Sequence, residues 1–171
     1  MRYLHIKNVT AKAQFATENG LSYRYRLEIT KDGASESPKT ACVVMQNPSY
    51  AGEGEADKSV QFMEKNVFEQ GLTEFYGVER LIVVNQFARI QTNDFAGLPH
   101  EIGIQNDNAI EAALGESGII IIGWGSSNRF VERQEFVLEL LKRMMHEKQL
   151  YKTRMHPSRG CYADFIQPLS I

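Results

Sequence analysis

Cysteine is scarce: Cys42 and Cys161 are too few for a metal quartet or a disulfide framework. No apolar run approaches the roughly 20 residues that a membrane span requires. The N-terminal Met1-Arg-Tyr-Leu-His-Ile-Lys lacks the apolar stretch of a secretory signal. The G-x-x-x-x-G-K-[ST] phosphate loop, the G-x-G-x-x-G fingerprint and the G-x-S-x-G elbow are all missing, which sets aside three common enzyme classes. His5, His100, His146 and His156 show no metal-ligand spacing. The expectation is a cytoplasmic protein with no metal, no cofactor and no membrane contact.

The chain has 171 residues, 43% of them hydrophobic and 10% aromatic, which suits a single packed domain over residues 1–171. A net charge of −2 argues against simple coating of nucleic acid. The charge is uneven, however. Residues 1–31 carry six Lys/Arg against two Glu, and residues 142–171 carry six against two acidic residues. Brought together, the two ends would offer a basic face to an anionic ligand; a scatter of solvated charges is the plain alternative.

Residues 21–29 alternate strictly, with Leu21, Tyr23, Tyr25, Leu27 and Ile29 on one face and Arg24, Arg26 and Glu28 on the other. Asn19-Gly20 suits a type I′ turn and makes residues 10–18 the partner strand. Residues 41–46, 80–84 and 118–123 are β-branched runs without alternation, as in strands buried on both faces. Helices are expected over 57–70, 106–114 and 128–149, and a last strand over 150–155. The order predicts a three-layer α/β sandwich with a central, mainly parallel four-stranded sheet over residues 41–171. An N-terminal β-hairpin region, residues 1–31, precedes it.

Ligands of open α/β sheets bind beyond the C-terminal strand ends. Those ends here read Asn47-Pro48-Ser49, Asn85-Gln86-Phe87-Ala88, Gly123-Trp124-Gly125-Ser126 and His156-Pro157-Ser158-Arg159. Each has a plain structural explanation: Asn-Pro starts turns, Asn85 ends a strand, Trp124 fills a core, and Cys42 is a small buried hydrophobe. Four such ends together favour a site.

Met45-Gln46-Asn47-Pro48-Ser49, Val83-Val84-Asn85-Gln86-Phe87-Ala88, Trp124-Gly125 and His156-Pro157, with Tyr23-Arg24-Tyr25 before them, resemble the bacterial and phage family called domain of unknown function sixteen-forty-three. More distantly, the order of strand-end motifs is similar to that of the uracil-DNA glycosylase superfamily. That second resemblance implies a base-releasing reaction on DNA or a nucleotide. In it Asn47 positions the attacking water and His156 stabilises the departing base, while Asn85 reads the base edge. Gln46, Ser49, Tyr50, Phe87, Trp124 and Ser158 complete the expected substrate site, with Arg154 and Arg159 on flanking phosphates.

The residue types suit that chemistry. N-glycosidic cleavage leaves negative charge on the base, which a neutral histidine donor stabilises. A carboxamide offers a donor and an acceptor to an imide edge, and an aromatic ring stacks on a flipped base. Three departures stand out. Arg159-Gly160 replaces the Pro-Leu that wedges into duplex DNA, and Ser49 replaces the tyrosine that excludes thymine. The first motif also lacks a strong acid, which predicts a slower or different reaction. The competing readings are a non-catalytic nucleotide- or base-binding module and a nucleotide-modifying enzyme of different chemistry.

Overall fold

The computed structural model describes residues 1–127 and 129–171. The chain runs β1 (Val9–Glu18), β2 (Leu21–Lys31), β3 (Thr40–Met45), α1 (Lys58–Phe68), β4 (Arg80–Asn85), α2 (Asn106–Glu116), β5 (Ile119–Ile122), α3 (Val131–Met144), β6 (Gln149–Thr153) and β7 (Ile166–Pro168). All seven strands join one sheet in the order β1-β2-β4-β3-β5-β6-β7. The neighbours β4, β3, β5 and β6 are parallel, and the hairpin and β7 pair antiparallel at the two edges.

The expected four-stranded sheet is therefore a seven-stranded mixed one. The hairpin does not stand before the sheet but belongs to it, because β2 bonds to β4 through Leu27–Thr30. That pairing covers Leu27 and Ile29, which an isolated hairpin would leave wet. The three residues of β7 are too short to show a period.

Alternate side chains of the inner strands serve two cores, which explains their unbroken hydrophobicity. Ala41, Val43, Leu81, Val83, Ile119 and Ile121 pack with Val60, Met63 and Val67 of α1. Cys42, Val44, Ile82, Val84, Ile120 and Ile122 pack with Ile110 and Leu114 of α2 and with Val137 and Leu141 of α3. The result is a helix layer on each face. Burial pushes the Cys42 thiol up to about 12, so it serves as packing.

Helix ends differ from the sequence pattern at informative places. Asp57 caps α1 from outside, its side chain accepting the Val60 amide at 2.9 Å. Helix α2 continues through Gly115 to Glu116, and its Asn106 side chain does not cap but donates to the Asn85 and Gln86 carbonyls. The expected helix start at residue 128 lies outside the described residues. No described helix is long and apolar enough to cross a membrane.

A β-bulge determines what β2 presents. Phe15 pairs with Arg24 and Gln14 with Arg26, so Tyr25 is the extra residue. Beyond it Leu27 and Ile29 join the α1 core, while Tyr23 and Tyr25 pack with Ala88 and Ala109 beside α2. The apparent single apolar face is thus split in two, because one inserted residue exchanges the faces. Arg24, expected on a polar face, is 1% exposed instead.

The N-terminal segment is tied down by a buried pair. His5 Nδ1 bonds the Glu64 carboxylate of α1, and His5 Nε2 donates to the Gly52 carbonyl at 2.7 Å. The other Glu64 oxygen accepts the Ile6 amide at 3.0 Å.

Candidate active site

The chain passes from β3 through α1 to β4 on one side of the sheet. It then crosses back over β3 to β5 by way of α2 on the other. Loops leaving β3 and β5 diverge at such a switch point and open a crevice. Here that crevice is a cavity of about 680 Å³.

Three of the four expected strand ends reach it. Gln46, Asn47, Ser49 and Tyr50 line it from β3, Trp124 from β5, and His156, Ser158 and Arg159 from beyond β6. The end of β4 does not. Asn85 is 1% exposed, and its side-chain oxygen accepts from Arg24 at 3.2 Å, so it braces Arg24 and does not line the cavity. Phe87 is buried against Phe95 and Phe130, with the Arg133 guanidinium over its ring, and likewise does not line this cavity. Arg154 lines a separate hollow of about 340 Å³ behind Trp124 and donates to Cys161 Sγ.

Asn47 is partly committed to structure. Its Nδ2 donates to the Gln91 carbonyl at 2.7 Å and the Pro48 carbonyl at 3.3 Å, clamping the loop after β4. Its Oδ1 accepts from Gln46 Nε2 at 3.2 Å.

His156 caps the 3₁₀ turn Pro157–Arg159. Its Nδ1 accepts the Ser158 amide at 3.2 Å and lies 2.9 Å from Ser158 Oγ. An accepting Nδ1 puts the ring proton on Nε2, which has no hydrogen-bond partner among the described residues. Burial holds the His156 pKa below its ordinary 6.5, with Arg159 adding to the effect and Asp57 opposing it. The ring is a neutral donor at pH 7.

Three charged lining residues, Asp57, Lys58 and Arg24, escaped the sequence pattern. Asp57 is 8% exposed; its Oδ1 takes the helix amide, and its Oδ2 has no partner among the described residues. Its signal was its place just ahead of α1, which reads as a cap and nothing more. Arg24 enters from β2, donating to the Ala51 carbonyl at 2.8 Å and to Asn85, with Nε unpartnered. Burial lowers its pKa to about 10, opposed by the field of Asp57, and it stays charged. No cluster of metal-ligating side chains occurs among the described residues.

Gly125 makes this geometry possible. It sits at φ +84°, and an added Cβ would lie 3.0 Å from the His156 amide nitrogen. Gly125→Ala is expected to cost more than about 1 kcal/mol, through both the left-handed backbone and the crowding. Urea denaturation measures the loss, and the imidazole NMR signals of His156 should shift. An unchanged midpoint would mean the loop relaxes freely.

Neither the curated proteins nor the solved structures contain a significant match to the chain. A family model does match, over residues 24–158. That stretch begins at the buried Arg24 and ends at the Ser158 that holds His156, and the chain belongs to the family described as protein of unknown function, DUF1643.

Proposed function

We propose that the cavity hydrolyses the N-glycosidic bond of a nucleotide, free or within DNA. His156 donates from Nε2 to the departing base, and Asn47 Oδ1 together with Asp57 Oδ2 holds and activates the attacking water. The observation that carries this reading is the His156 ring: neutral, fixed in one tautomer, and lining the cavity that Asn47 and Asp57 share. Similarity of the strand-end order to the uracil-DNA glycosylases supports it. With Asn85 and Phe87 turned away, Gln46 takes over the base edge, and Trp124 and Tyr50 offer stacking surfaces.

The test is mass spectrometry of small products. The panel is single- and double-stranded DNA and free nucleotides bearing uracil, mismatched thymine, deaminated purines or bulky pyrimidines. Wild type should release a free base, and His156→Ala should lower that release about 10²–10³-fold, the usual cost of losing an anion-stabilising donor. Both proteins are checked for fold by circular dichroism. No base from any substrate would overturn the reading.

A second reading, a nucleotide-binding module without turnover, is favoured by one observation: the Asn47 amide is spent on the Gln91 and Pro48 carbonyls. Saturable nucleotide binding with no product would select it.

A further inference from the structure

A buried guanidinium without a directly bonded counter-charge is costly to keep. Arg24 is 1% exposed and is the innermost cation lining the cavity. Its acceptors among the described residues, the Ala51 carbonyl and the Asn85 side-chain oxygen, are both neutral. Those bonds use two of the five N–H donors that a guanidinium carries, and Nε has no acceptor. Asp57 acts on it through space, while its own Oδ1 serves the helix amide.

We propose that Arg24 is the receptor for a terminal phosphate monoester of the ligand. The inference rests on the nucleotide reading above and narrows it to free nucleoside monophosphates. Position supplies the first argument. A group seated against a buried side chain must be the end of a molecule, because an internal phosphodiester continues on both sides and stays at a rim. Charge supplies the second. Arg24, Lys58 and Arg159 line the cavity against Asp57, with His156 neutral, an excess of two positive charges. A phosphate monoester carries about −1.5 to −2 at pH 7. Geometry supplies the third, since a planar guanidinium with free N–H groups pairs with phosphate oxygens through two bonds at once.

Isothermal titration of the full chain tests this without requiring turnover. The probes are inorganic phosphate, deoxyuridine, deoxyuridine 5′-monophosphate and the dinucleoside monophosphate of deoxyuridine, whose one phosphate is internal. The monophosphate should bind at least about tenfold tighter than either the nucleoside or the dinucleoside, a gain typical of one charge-assisted contact. Inorganic phosphate should compete with it. Arg24→Gln should erase the preference and Arg24→Lys keep part of it. Should Arg24→Gln fail to fold, the Lys58→Gln/Arg159→Gln double variant decides. A surviving preference supports Arg24, and a vanished one puts the phosphate at the rim and overturns the proposal. Equal binding of nucleoside and monophosphate overturns it as well, as does a preference that persists in folded Arg24→Gln. Phosphate binding that depends on Arg24 while no nucleotide binds would uphold the receptor and sink the nucleotide reading alone.

Discussion

Asp57→Asn is expected to lower base release by about 10²–10⁴-fold, the usual worth of a positioned general base. The fall should be in kcat. Fold stability should hardly move, because asparagine caps a helix about as well as aspartate and can still accept the Val60 amide. Asp57→Ala removes cap and carboxylate together. It should lose the same activity and, in addition, about 1 kcal/mol of stability, or roughly 2–4 °C in melting temperature at this chain length. The pair of variants thus separates the two roles of one side chain. A folded Asp57→Asn protein with wild-type turnover would leave Asp57 as a helix cap alone.

His5→Ala should cost about 3–5 kcal/mol, since it strands a carboxylate inside the protein. Glu64 is 0% exposed and would keep the Ile6 amide as its remaining partner. Adding Glu64→Ala to His5→Ala should cost less than the two single losses combined, because the second change removes the stranded charge. Burial alone would lower the His5 pKa, but hydrogen bonds to Glu64 and the Gly52 carbonyl outweigh it and raise the pKa above 6.5. The folded protein therefore holds this proton more tightly than the unfolded chain does. The pair's contribution is complete below pH 6.5 and is lost as pH climbs through the raised folded value. Urea midpoints of wild type should fall as pH rises above 6.5 more steeply than those of His5→Ala. Parallel profiles would show that the pair does not titrate there.

Part of the architecture was legible because it rests on short-range rules. The β-branched runs at 41–46, 80–84 and 118–123 mark strands covered on both faces, and the structure buries them so. Asn19 and Gly20 take the positive φ that their turn requires. Gln46, Asn47, Ser49, Tyr50, Trp124, His156, Ser158 and Arg159 meet at one cavity because parallel strands deliver their C-terminal ends to one edge. Asn85 does not line that cavity, by the same rule's limit: reaching the edge does not decide which way a side chain turns. It turns beneath Arg24, where the antiparallel β2 lies beside β4.

What the amino-acid sequence alone determined was periodicity, turn chemistry and the order of the strand ends, all properties of residues close together along the chain. Long-range packing set the face each side chain finally served. The bulge at Tyr25 depends on pairing with Gln14 and Phe15, and it moves Arg24 from an expected polar face to the inside of a cavity. Asp57 came to line the cavity in the same way, when the helix it caps was packed beside the turn of His156. Such placements arise from contacts between residues distant in sequence, and no local pattern encodes them.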